Sequence, residues 1–304
     1  MGLIRKLFGG GNNINIEEEI ERKGFSTSDC SFDCDSCSSK FPASVSVEEK
    51  DELWNSTKEY GLHIVVASGK TDWPHDACLV PGTVGKAVSG WADLSNDKFP
   101  ELGTSSSIKV TMSSLCSAEL DTNEEYILGR RGDILILPFF IWIKNVSAEN
   151  VGSLLDVMMP KLIESRDKKI PPPSKVENFD DVTVQADGFQ SYIFLCSHRT
   201  RDKRCGVTAP LMKREMEIYL RDLGLYRDFN DYRPNGVRVA YINHVGGHKY
   251  VANVLMYSKT GKNIWLARCR PQNVRPIIDE CILADGKVWA DKVRIIQRFD
   301  PIEW

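Results

Sequence analysis

Two cysteines and two histidines between Cys196 and His248 constrain this chain more than any other feature. Ser191-Tyr-Ile-Phe-Leu-Cys196 is a short apolar run that reads as a strand ending on a thiol, and Cys205 follows in the next loop. A second strand, Val237-Arg-Val-Ala-Tyr-Ile242, leads into Asn243-His-Val-Gly-Gly-His-Lys249, which carries His244 and His248. Thiolate and imidazole are the common protein ligands of zinc and of two-iron clusters. The His pair has the short spacing of a zinc site, whereas Cys196 and Cys205 stand farther apart than a zinc knuckle requires. Iron–sulfur clusters tolerate wider loops, because two irons and their sulfides span more space. Gly246 and Gly247 let the backbone turn sharply between the two imidazoles.

Cys196-Ser-His198 also matches one arm of a Rieske site, Cys-x-His. The second arm fails, because Cys205 is followed by Gly206-Val-Thr208. Five candidate ligands thus compete for four positions. The spacing favours Cys196, Cys205, His244 and His248, with His198 as a neighbour that does not ligate.

At 304 residues the chain favours two domains. Its formal net charge of −3 argues against a general nucleic-acid binder. The most apolar stretch, Ile134-Leu-Ile-Leu-Pro-Phe-Phe-Ile-Trp-Ile143, is too short to span a bilayer. No signal-peptide pattern opens the chain, and the myristoylation pattern that Gly2 suggests fails at Lys6. Nine cysteines without a secretion signal point to a reducing, cytoplasmic compartment, with a nuclear pool allowed.

Residues 1–58 read as a flexible leader of Gly, Asn, Ser and acidic residues. Cys30, Cys34 and Cys37 lie within it as exposed or redox-labile thiols, since a fourth ligand is missing. An N-terminal α/β domain is expected over 59–166, with strands at Leu62–Ala67, Ser107–Met112 and Ile134–Leu137 and a helix over Ala148–Ile163. A charged, proline-rich linker follows over 167–186. The final unit, 187–304, orders strand, helix, strand, strand, strand, helix, with Thr208 as the cap of the first helix and Pro210 in its first turn. That order is close to the thioredoxin pattern. The fold class is therefore α/β (α+β), and the first domain reads as a possible degenerate copy of the second. Asp72-Trp73-Pro74-His75 and Cys78 read as a packed turn or a contact between domains. Arg199, Arg201, Lys203 and Arg204 either steer an acidic redox partner or form a solvated loop, with Arg201 pairing locally to Asp202.

Cys196-Ser-His-Arg-Thr-Arg-Asp-Lys-Arg-Cys205-Gly, Leu225-Tyr-Arg-Asp228 and Asn243-His-Val-Gly-Gly-His-Lys249 closely resemble the sucrase/ferredoxin-like family of thioredoxin-like ferredoxins. The likeness extends through Asp72-Trp-Pro-His-Asp-Ala-Cys78 and Ile134–Trp142, covering roughly residues 60–304. What the resemblance implies is a [2Fe–2S] cluster held by Cys196, Cys205, His244 and His248. It also implies links to oxidative-stress tolerance and actin patches. One-electron transfer or redox sensing follows, with a proton exchanged at the histidines. Ile302-Glu303-Trp304 resembles the tail by which some iron–sulfur proteins dock onto the cytosolic iron–sulfur assembly targeting complex. A zinc-stabilised adaptor is the alternative expectation. No nucleotide loop, flavin fingerprint or catalytic triad suggests a substrate-turning enzyme, and a thiol oxidoreductase is disfavoured because no Cys-x-x-Cys stands at a strand–helix junction.

Overall fold

Continuous apolar runs make the central strands. Leu62–Ala67 and Ser191–Cys196 are buried along their whole length, as strands covered on both faces must be. In the computed structural model, which describes residues 15–34, 37, 39–103, 105–228 and 230–304, each of these strands begins the same series of elements. Gly2 and Lys6 fall outside those residues. The first series is β1 (Leu62–Ala67), α1 (Val84–Ser95), β2 (Ile108–Ser113), β3 (Arg131–Leu137), β4 (Ile141–Ser147), α2 (Val151–Lys168) and β5 (Thr183–Ala186). The second is β6 (Ser191–Cys196), α3 (Lys203–Asp222), β7 (Val237–Ile242), β8 (Val254–Ser258), β9 (Lys262–Leu266), a helical segment over 274–283, and β10 (Val293–Arg298).

All ten strands join one mixed sheet in the order β10-β9-β8-β6-β7-β2-β1-β3-β4-β5. Read outward from its centre, each half has the same arrangement. β1 is parallel to β2 and antiparallel to β3, and β6 is parallel to β7 and antiparallel to β8. The helix-bearing crossover between parallel strands, followed by an antiparallel hairpin, is the thioredoxin-like pattern, and here it occurs twice. β2 and β7 meet antiparallel at their C-terminal ends, with Ser113 opposite Ile242. Loops leaving β1, β2, β6 and β7 therefore converge at the centre of the sheet.

A buried polar network ties the halves together. The Tyr257 hydroxyl lies 2.6 Å from both Tyr60 Oη and His63 Nδ1, and His63 Nε2 lies 2.8 Å from Thr111 Oγ1. Trp265 Nε1 donates to Tyr60 Oη at 2.8 Å. Burial holds the His63 imidazole well below the ordinary 6.5, and the Lys109 ammonium adds to this. The unfolded chain takes up a proton there and the folded chain does not. Stability from this residue is therefore complete above the unfolded value and is lost as pH falls towards the folded one. The slope approaches about 1.4 kcal/mol per pH unit. Urea unfolding between about pH 7 and 5 should show this loss, and His63→Asn, though weaker at neutral pH, should flatten it. Equal slopes in both proteins would exclude the effect.

Two expectations from composition differ from the structure. β5 lies inside the proline-rich 167–186 segment and pairs with β4, Ala186 opposite Ile141, so the polar stretch completes the sheet edge. The 1–58 segment, so far as it is described, packs on the second half. Asn15 caps a helix over Ile16–Arg22, Ile20 and Phe25 are buried, and Ser26–Thr27 pairs with Lys287–Val288. Leu53 and Trp54 are buried too, and Arg268 donates to the Glu48 and Asp51 carbonyls. A few widely spaced anchors and backbone hydrogen bonds hold this segment, and neither leaves a periodic trace.

Candidate metal centre

β6 delivers Cys196 to the centre of the sheet with 3% of its surface exposed. Asp202, not Thr208, caps the helix that follows: its carboxylate accepts from Arg204 N at 2.9 Å. α3 therefore starts at Lys203, which puts Cys205 in its first turn. Thr208 is buried inside the helix and bonds back to the Arg204 carbonyl at 2.9 Å, and Pro210 is an interior residue. An aspartate set among basic residues reads as a local ion pair, yet its oxygens also satisfy an otherwise unpaired helix N–H.

The Cys196 and Cys205 thiols interact with each other, and that interaction holds the Cys205 thiol above the usual range and the Cys196 thiol below it. A weak contact with His244 Nδ1, 4.0 Å from Cys196 Sγ, acts on Cys196 in the same direction. Of the pair, Cys196 is thus the thiol biased towards the thiolate and Cys205 the one biased towards keeping its proton.

β7 delivers the histidine arm. Asn243 knits the start of this arm to β2, its N–H bonding the Met112 carbonyl at 3.0 Å and its Oδ1 accepting from Met112 N at 2.8 Å. Gly246 and Gly247 then take φ of 88° and 70°, the left-handed region that glycine enters without strain. At Gly247 a Cβ would also lie 2.6 Å from Arg294 Nη2. His248 opens a short 3-10 turn to Tyr250, and its side chain lies outside the described residues.

Arg294, on β10, was not legible as a site residue. It is 2% exposed, and its guanidinium binds the Gly246 carbonyl (3.0 Å), Asn253 Oδ1 (2.9 Å), Ser56 Oγ (3.0 Å) and the Ser56 carbonyl (3.0 Å). Burial pulls it down to about 10, and the Cys196 charge partly opposes this. It remains a cation beside the thiolate. The one available signal is a lone arginine in the apolar run Val293-Arg-Ile-Ile296.

The His198 ring is engaged by the backbone at both nitrogens. Nε2 donates to the Trp73 carbonyl at 2.9 Å, and Nδ1 accepts from the His244 backbone N–H at 3.2 Å. Both ring nitrogens are occupied, and the ring holds the His244 backbone in place. The Thr71–Asp76 loop of the first half clamps the whole cysteine arm. Ser197 Oγ donates to the Thr71 carbonyl at 2.7 Å, Thr200 donates twice to Asp72 at 2.8 and 3.0 Å, and Arg201 pairs with Asp76 at 3.2 Å. This loop is the contact between halves that its sequence suggests. Arg204 pairs with Asp202, so of the four basic residues Arg201 and Arg204 are structural, and Arg201 pairs across the halves, not with Asp202. His198→Phe should leave the Trp73 carbonyl and the His244 N–H unsatisfied, costing about 2–4 kcal/mol in urea unfolding, with faster amide exchange at His244. Unchanged exchange there would show that His198 does not position the arm.

Among the described residues no three His, Cys, Asp or Glu side chains gather closely enough to hold a single metal ion. Cys30 is exposed and 3.5 Å from Glu280, whereas Cys37 is buried, and burial raises its thiol above the ordinary range. The tripeptide at 302–304 packs on the body. Ile302 is buried, Glu303 pairs with Lys169 at 2.8 Å, and Lys259 donates to the Trp304 carbonyl at 2.9 Å. No described helix is long and apolar enough to cross a membrane.

The model of the sucrase/ferredoxin-like family matches residues 53–295. Actin patches distal protein 1 of Saccharomyces cerevisiae is 37% identical over 261 residues, 84% of this chain and 80% of its own length. Altered inheritance of mitochondria protein 32 is similar over a shorter stretch. The Meyerozyma guilliermondii protein is 34% identical over 102 residues, 34% of this chain and 33% of its own. The Debaryomyces hansenii protein is 37% identical over 93 residues, 30% of each chain. No solved structure matches significantly.

Proposed function

The chain belongs to the sucrase/ferredoxin-like family, and on that premise we propose that Cys196, Cys205, His244 and His248 hold a [2Fe–2S] cluster for one-electron transfer or redox sensing. The observation that carries this reading is the meeting of the Cys196–Cys205 pair with His244, while His198 is engaged at both nitrogens. Two soft sulfurs and an imidazole suit iron–sulfur chemistry. When bound, such a cluster supplies reversible one-electron transfer, at a potential that imidazole ligation places above that of all-thiolate ferredoxins. Cys196 contributes its sulfur already deprotonated. Arg294 keeps a positive charge beside it, and a histidine ligand would leave one ring nitrogen available for proton exchange.

Protein purified without oxygen, assayed for iron, sulfide and zinc together, tests the proposal. Iron and sulfide in equal amounts support it. One zinc without sulfide would replace it with a zinc-stabilised interaction module. A potential independent of pH would remove the proton exchange.

The relative named for actin patches motivates placing the protein at the cytoplasmic cell cortex. In the same reading Ile302-Glu303-Trp304 docks onto the cytosolic iron–sulfur assembly targeting complex, which requires the tripeptide to lift from its bed. Trp304→Ala should lower iron occupancy in cells, and unchanged occupancy dismisses the docking.

A further inference from the structure

Arg238, the second residue of β7, is 9% exposed and stands on the wall of a cavity of about 540 Å³ formed beside the loop after β2. A buried guanidinium is ordinarily paired, and it carries five N–H donors. The other two most buried arginines obey this. Arg294 reaches four oxygens, and so does Arg227, with the carbonyls of Gly224, Tyr226, Arg233 and Pro234. Among the described residues Arg238 makes a single long hydrogen bond, Nη2 to the Asp231 carbonyl at 3.5 Å, and its Nε has no partner. Its guanidinium lies 4.7 Å from the Phe189 ring centre, and it forms no ion pair among the described residues.

Two buried carboxylates line the same cavity, yet neither neutralises it. Asp187 accepts from Trp142 Nε1 (2.9 Å), Phe189 N (2.9 Å) and the Tyr192 hydroxyl. Asp133 accepts from the Tyr126 hydroxyl and Asn145 N, both at 2.9 Å. The cavity therefore offers the buried Arg238 guanidinium, with Lys144 also on its wall, aromatic walls and a volume typical of small-molecule sites.

We propose that this cavity binds a small organic monocarboxylate, with the carboxylate on Arg238 and a flat apolar body against Phe189 and Trp142. A guanidinium suits a carboxylate because its N–H groups match the two oxygens. A single negative charge is favoured over a phosphate dianion, because three acids, Asp133, Asp187 and Glu119, face the cavity against two bases, Arg238 and Lys144. The site lies apart from the cysteine and histidine arms and stands whether or not those bind a cluster.

Titration calorimetry and saturation-transfer NMR on the full chain, with benzoate and its neutral analogue benzamide as probes, test this. Benzoate should bind at least about tenfold more tightly than benzamide, and Arg238→Gln should remove at least about tenfold of the benzoate affinity. Cys116→Trp, an exposed substitution on the cavity wall, should block benzoate while leaving the fold intact, which keeps the test valid if Arg238→Gln does not fold. No binding of either probe, equal binding of both, or benzoate affinity unmoved by the variants would overturn the proposal.

Discussion

Cys196→Ser should yield a folded, colourless protein. The side chain is nearly isosteric and ends a strand buried along its whole length, so the sheet itself has no reason to change. The chemistry changes completely. The thiol of Cys196 is held below its usual range by the neighbouring Cys205 thiol first and by His244 next, so its sulfur is available as an anion at neutral pH. A serine hydroxyl stays protonated there and is a hard oxygen donor, and it cannot replace a thiolate on iron. Bound iron and sulfide should fall at least about tenfold, with visible absorbance near background, while stability of the metal-free protein moves by less than about 1 kcal/mol. Retention of colour in this variant would mean that Cys196 is not a ligand. Cys205→Ser should behave alike, with the further effect that Cys196, deprived of that neighbour, returns towards an ordinary thiol.

Arg294→Met should be the most damaging substitution outside the ligands. It leaves the carbonyls of Gly246 and Ser56 and the Asn253 side chain without their donor in a site that is 2% exposed. Each orphaned buried acceptor costs roughly 1–3 kcal/mol, and breaking a buried charged network typically costs about 3–5 kcal/mol in total. Urea unfolding should register a loss in that range. The effect also reaches the site, because Arg294 fixes both the Gly246 carbonyl and the close approach of Gly247. The loaded protein should lose iron faster, and its potential should drop as a nearby positive charge disappears. A loss below about 1 kcal/mol would mean that the Ser56 and Asn253 groups find other partners and that Arg294 is dispensable.

Much of the centre was legible because its chemistry is local. Leu62–Ala67 is the strand its largely apolar residues suggest, and Cys196, His244 and the two glycines stand where their loops place them. The thioredoxin-like order of the second half follows from the same apolar runs, and the first half repeats it in full, β5 included. What stayed hidden depends on contacts remote in sequence. Arg294 reaches Ser56, 238 residues away, and the clamp on the cysteine arm comes from Thr71–Asp76, more than 120 residues upstream. α3 starts earlier than Thr208 and Pro210 suggest, although Pro210 is a plausible first-turn residue and Thr208 a plausible cap. Asp202 wins by bonding the Arg204 amide. Polar, charged stretches hid β5 and the packed part of 15–58, since an edge strand or a few anchors need no apolar periodicity.

The most direct test of a mixed Cys and His site is the nitrogen hyperfine spectrum of the reduced protein, purified without oxygen. Couplings from two imidazole nitrogens, one of them lost in His244→Cys and the other in His248→Cys, are the expected result. A reduced protein without nitrogen couplings, or with couplings that survive both substitutions, would contradict the assignment of His244 and His248 as ligands.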